Sequence, residues 1–308
     1  MAKYRAFIIA SGALFALALA RAAGAADLLP PPPVLEPQPP APMEFNGWYL
    51  RGDAGAAYNS SSIGLTTTPD PLATGTFAAG ANESYNNTTL SSSELFDVGV
   101  GYQFNSWFRS DVTLEYRDGG AFQSLYVLNN PGAATGDVSQ YANFYRGNVA
   151  SWIAMVNGYV DLGTWSGITP YVGAGVGYAR NTLYGLTDTG ENTTVGGISS
   201  SAAGGYFANG STNNFAWALM TGLDFNVTQN LKLELGYRYL NLGTYASGAS
   251  SCLNGTGAGG GFSTGSCGGS NYYLKTDRLA SNDFRIGLIW MLGEETPPPP
   301  PAPLVRKY

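Results

Sequence analysis

The chain contains no histidine. That absence excludes a Ser-His-Asp triad, a Cys-His pair and a His-ligated zinc site, and no other catalytic, cofactor-binding or metal-ligating set stands out. Charge is also scarce: 12 % of residues are Asp, Glu, Lys or Arg, against about 25 % in a typical soluble domain. The positive sign is the rarer one, with 15 Lys and Arg against 21 Asp and Glu and a pI near 4.6. Nucleic-acid binding, which needs a basic face, is therefore not expected. Beyond the first twenty residues no apolar run reaches the ~20 residues of a spanning helix.

What the chain does have is glycine and tyrosine, 42 and 20 residues respectively. Few charges, many glycines and many aromatics suit a lipid-embedded β-barrel better than a soluble enzyme. The start is a different kind of sequence. Lys3 and Arg5 precede the apolar run Ala6–Ala20, and Ala23-Gly24-Ala25 follows. This order is that of a cleaved secretory signal peptide over residues 1–25, too short in its apolar part to serve as an anchor. Residues 26–45 then form a proline-rich linker on the periplasmic side, and residues 293–308 a second proline-rich stretch. Both favour extended polyproline II backbone and stay out of a core. They read either as spacers or as arms reaching toward peptidoglycan or another periplasmic partner. The folded domain is expected over residues 46–292.

Within it, eight segments alternate with period two, at 47–58, 95–104, 108–117, 150–162, 170–180, 215–227, 231–240 and 283–292. In the third, Phe108, Ser110, Val112, Leu114 and Tyr116 share one face, and Arg109, Asp111, Thr113, Glu115 and Arg117 the other. Connections alternate too: 105–107, 163–169 and 228–230 are short, while 59–94, 118–149, 181–214 and 241–282 are long, the second of these carrying Phe122, Tyr126, Tyr141, Phe144 and Tyr145, some of which would extend the strands beyond the membrane as a hairpin. Short turns on one side and long loops on the other predict an all-β fold: an eight-stranded antiparallel transmembrane up-and-down barrel with four long extracellular loops, in the outer membrane.

An eight-stranded barrel has an interior just wide enough for side chains. The apolar faces carry too many aromatics to fit there, so they are assigned to lipid. Trp48, Phe108, Phe225 and Trp290 fall near the short turns, and Trp152 and Trp217 near the long loops, as in the aromatic girdles at lipid–water interfaces. The opposite faces then put Arg51, Asp53, Asp97, Arg109, Asp111, Glu115, Arg117, Asp161, Asp224, Lys232, Glu234, Arg238, Asp283 and Arg285 in the lumen. Charges of both signs in a narrow interior should pair, which predicts a salt-bridged plug; a narrow water-filled pore remains the alternative. Cys252 and Cys267, close together in one loop of an exported chain, read as a disulfide. In the chain-entropy picture it would stabilise that loop by about 3 kcal/mol.

The order of signal peptide, proline-rich spacer and Asn46-Gly47-Trp48-Tyr49-Leu50-Arg51-Gly52-Asp53-Ala54-Gly55 resembles the small outer-membrane β-barrel proteins of alpha-proteobacteria, within the opacity-protein superfamily of porin-like barrels. The last strand, with Arg285, Gly287, Trp290 and Leu292, resembles the terminal signal read by the barrel-assembly machinery, although here residues 293–308 follow it. The resemblance implies a non-enzymatic envelope protein in contact with outer-membrane lipid and lipopolysaccharide and inserted by that machinery. Three roles are open: a structural barrel that maintains the envelope and displays its loops, a narrow porin for small solutes, or a surface adhesin or receptor.

Overall fold

A computed structural model describes residues 47–59, 65–68, 79–133, 138–194, 202–255, 262–265 and 272–292. The expectations for the signal peptide and for both proline-rich stretches fall outside them, and so does the expected Cys252–Cys267 disulfide, since Cys267 is not among the described residues.

Eight strands close into a ring: β1 (Gly47–Asn59), β4 (Ser93–Gln103), β5 (Phe108–Asn129), β6 (Val138–Asp161), β7 (Ile168–Thr194), β9 (Gly210–Asn226), β10 (Leu231–Gly243) and β14 (Leu279–Met291). Each pairs antiparallel with the next. The last meets the first from Tyr49 opposite Met291 to Asn59 opposite Ser281, so the ring has no free edge. The remaining strands lie on the loop side. β2 (Leu65–Thr68) pairs with β13 (Tyr273–Thr276), β3 (Asn82–Leu90) with β5, β8 (Ala202–Phe207) with β7 and with β11 (Ser250–Gly255), and β12 (Phe262–Gly265) with β11.

The short turns are set by local chemistry. Asn105 Oδ1 accepts the backbone N–H of Trp107 and Phe108, and Thr228 Oγ1 accepts those of Asn230 and Leu231. Side-chain acceptors of this kind stand in for a backbone turn bond.

The long connections depart from the expected loops. β5, β6 and β7 run to 22, 24 and 27 residues, where alternation alone marked about ten. At about 3.3 Å per residue such strands reach roughly 70–90 Å, far beyond a bilayer. The long connections therefore become a β-structured extension standing on the barrel. Its boundary is marked by bulges. In β5, Asp118 and Gly119 lie opposite the single residue Ala150, and in β7, Gly185 and Leu186 lie opposite Gly147. Gly119 and Gly185 have φ of 83° and 60°, the left-handed backbone that a bulge of this kind requires and that glycine adopts without strain.

In the ring the outer face is apolar. Leu50, Val98, Val112, Leu114, Val156, Val172, Leu219, Leu235, Ile286 and Leu288 are all exposed. Between Trp48 and Tyr58 of β1 this face spans about 33 Å of strand, or about 25 Å of height at the usual tilt, the thickness of the apolar band on such barrels. Among the described residues no helix is long and apolar enough to cross a membrane; the strands carry the crossing.

Candidate functional site

Inward positions in the ring are polar, and the side chains there meet in tiers. All fourteen charges assigned to the lumen from the sequence are buried. Nearest the short turns, the Arg109 guanidinium lies 3.0 Å from Asp224 and 3.3 Å from Asp161, between the rings of Tyr159 and Tyr171, whose centroids are 4.7 and 4.9 Å away. Lys232 is buried in the same tier. Next, Arg51 donates to Asp53, to Asp111 at 2.9 Å, to Glu234 at 2.8 Å and to the Tyr159 hydroxyl. Glu234 also lies 3.6 Å from Arg109 and 3.8 Å from Arg285, so one carboxylate, 0 % exposed, serves three arginines from three strands. Arg285 in turn reaches Asp97 at 3.4 Å. Toward the loops, Arg117 and Arg238 both pair with Glu115 and with Asp283, and Arg117 donates to Ser281.

Glycine makes room for this filling. A Cβ on Gly101 would collide with the ring of Tyr49, and one on Gly222 with the hydroxyl of Tyr171. Tyr49, Tyr159 and Tyr171 were not singled out from the sequence, although the parity they share with Arg51, Asp161 and Gly173 would have placed them inside.

Above the charged tiers the interior changes character. Asn181 donates to the carbonyls of Leu242 and Thr244 and accepts from Ser151. Beyond it lies an apolar core of Leu90, Phe122, Tyr126, Leu128, Tyr145, Val149, Leu183, Leu186, Phe207, Leu240, Leu242, Tyr245, Leu274 and Leu279. Edge-to-face contacts join Phe122 to Tyr245, Tyr145 to Phe207, and Phe207 to Tyr272. Burial raises the hydroxyl pKa of Tyr145, Tyr245 and Tyr272. In the same core Asp188 accepts from the Tyr272 hydroxyl at 3.0 Å, and burial pushes its carboxyl up to about 6. Neither Asp188 nor this core is foreseen from the sequence; the aromatic residues within 118–149 suggest strands extended as a hairpin, which the β5–β6 pairing shows, but not a packed core.

The expected girdle residues lie on the outer face. Trp48, Trp152, Trp217 and Trp290 are exposed and Phe108 and Phe225 half-buried, with the rings of Tyr116 and Trp152 packed at a tilt of 44° and centroids 4.7 Å apart. The four residues of the terminal signal split between faces. Arg285 and Gly287 point inward, the first into the ion-pair network and the second against Asp53. Trp290 and Leu292 are exposed. Among the described residues no acidic or thiol cluster has the makings of a metal site.

The model of the family described as "Opacity family porin protein" matches residues 100–262. An uncharacterized protein of Brucella suis biovar 1 (strain 1330) is 35 % identical over 226 residues, covering 72 % of this chain and 76 % of the relative. A putative adhesin of Rickettsia bellii (strain OSU 85-389) is 26 % identical over 206 residues, 66 % of this chain and 75 % of that protein. Among solved structures, Neisserial surface protein A is 16 % identical and aligns over 80 % of this chain and 97 % of its own length, with a TM-score of 0.38.

Proposed function

This chain belongs to the opacity family of outer-membrane porin proteins, and we propose that its barrel is a closed, non-enzymatic anchor that maintains the envelope and carries a rigid β-structured platform outside the cell. One observation supports the reading above the others: the bore is filled twice over, by buried ion pairs and then by an apolar core. A conducting lumen needs water along its length and is more often lined by charge of one sign. Here each arginine is committed to carboxylates, and the apolar tier above offers an ion nothing to replace its hydration shell. The girdles face outer-membrane lipid and lipopolysaccharide, and the strand ending in Trp290 and Leu292 is the segment the assembly machinery would read.

The test is single-channel recording on the refolded full chain in planar bilayers. The expected result is a flat baseline. Reproducible conductance steps that change when Arg109 or Glu115 is substituted would overturn the closed reading in favour of the narrow porin.

A second reading, surface attachment, is favoured by the outer wall of the extension, where Phe144 and Tyr206 are exposed beside Arg146, and by the name of the rickettsial relative. Deleting residues 246–275 would be the obvious test from sequence, but Ser247, Ser250 and Leu274 are buried, and Ser247 N–H donates to the Leu274 carbonyl. That deletion would unravel the extension. Replacing Phe144 and Tyr206 with serine leaves the core intact. If attachment is the function, cells displaying the double variant should bind host-cell monolayers several-fold less well than cells displaying the native chain. Equal binding would sink the second reading and leave the first untouched.

A further inference from the structure

Every carboxylate of the charged tiers named above has an arginine partner, whereas among the described residues Asp188 has none. It lies on β7 eight residues beyond Arg180, which stands opposite the girdle residue Trp152; that is about 26 Å further along the strand, outside the lipid-facing band. Its side chain points into the extension and the residue is 8 % exposed. In register it faces Tyr145 on β6 and Gly205 on β8. One carboxylate oxygen accepts from Tyr272; the other, Oδ1, has no partner among the described residues.

Among the described residues the titratable groups around it are all neutral or acidic. Tyr145, Tyr272 and Tyr85 are the phenols of the cluster, and Glu83 joins through the Tyr126 hydroxyl, which donates to it at 3.1 Å. Among the described residues no ion pair reaches Asp188, and Arg146 and Lys275 are exposed. A buried carboxylate with one hydrogen bond and no counter-charge favours its protonated form.

Tyr272 is more than a hydrogen-bond donor. Its backbone N–H donates to Ser250 Oγ and its carbonyl accepts from Ser250 N–H. It thus ties the entry to β13 to the start of β11, both in the fourth connection, while its hydroxyl reaches across to β7. We propose that Asp188 and Tyr272 form a protonation-controlled latch, clasping the fourth connection to the β7 wall in mildly acidic surroundings and loosening it at neutral pH. This goes beyond the anchoring role and does not depend on whether the platform binds anything.

The sign follows from linkage. In an opened extension Asp188 would titrate near its ordinary value of 3.8, and in the closed one near 6. The latch is therefore tightest below about pH 4, weakens as pH rises to about 6, and is constant above. Two pH units correspond to about a hundredfold change in the closed-to-open ratio.

Hydrogen exchange read by mass spectrometry, corrected for the intrinsic pH dependence of amide exchange, tests this on the full chain refolded in lipid vesicles. Peptides covering residues 247–250 and 272–276 should lose up to about a hundredfold protection between pH 4 and pH 7.5, while β1 peptides stay unchanged. Asp188→Asn, whose closed barrel is checked by heat-modifiable gel migration, should hold those peptides at their acid level at both pH values. A flat native profile overturns the proposal whatever the variant does. So does a pH dependence that survives Asp188→Asn, or one abolished by Glu83→Gln.

Discussion

Below the row formed by Phe96, Tyr116 and Trp152 the chain is built inside out; above that row it is built like a soluble protein. In the ring, Arg109, Asp111 and Glu115 of β5 point inward and Val112 and Leu114 outward. Further along the same strand, Phe122, Tyr126 and Leu128 point inward, while Ala121 and Gln123 face out. One strand thus serves two solvents. Lipid offers apolar side chains as good a neighbour as a protein core does, so the ring gains nothing by hiding them and is held by backbone bonds and paired charges. Water outside the cell restores the hydrophobic effect, and the extension folds around a core.

The contrast can be broken most severely at Glu234. Replacing it with Ala leaves Arg51, Arg109 and Arg285 short of a shared buried partner, and removing one side of a buried pair costs about 3–5 kcal/mol. Urea unfolding of the refolded protein in lipid vesicles should show that loss, and an unchanged midpoint would mean the ion pairs do not hold the ring.

The next largest effect tests the solvent boundary itself. Leu114→Arg should cost about 2–4 kcal/mol if that residue meets mid-bilayer hydrocarbon, whereas Leu125→Arg, on the outer wall of the extension, should fall within about 0.5 kcal/mol of native. Similar losses at both sites would place the boundary elsewhere.

A smaller effect is expected at the seam. Gly119→Ala puts a Cβ on left-handed backbone, at about 1–2 kcal/mol, although nothing stands within 4 Å of the added atom. The loss should register as weaker exchange protection above the bulge, with the ring little changed.

How much of this was legible differs between the two halves. The third segment from Phe108 to Arg117 alternates without interruption, so its lipid face, its lumen face and its place in an eight-stranded ring could be read directly. The reading stopped at Asp118 because the bulge there moves the inward positions from odd residues to even ones. A period-two pattern cannot be followed through a phase change it does not announce. Gly185 does the same in β7, so alternation marks neither stretch beyond the bulges as strand, and only the aromatic residues after Asp118 point to a hairpin there. The aromatic residues Phe122 and Tyr145 stand out in the sequence, but nothing in their spacing says that Phe122 packs against Tyr245 and Tyr145 against Phe207, each more than sixty residues away.

By itself, then, the order of residues determined which side chains face lipid, how many strands cross it, and that the interior charges are nearly balanced, because each of these depends on alternation within a single strand. Only the tertiary structure decided which arginine meets which carboxylate, that Glu234 serves three of them, and that Asp188 has none among the described residues. Those pairings depend on register between strands distant in sequence, and register is set by where bulges fall and how the barrel closes.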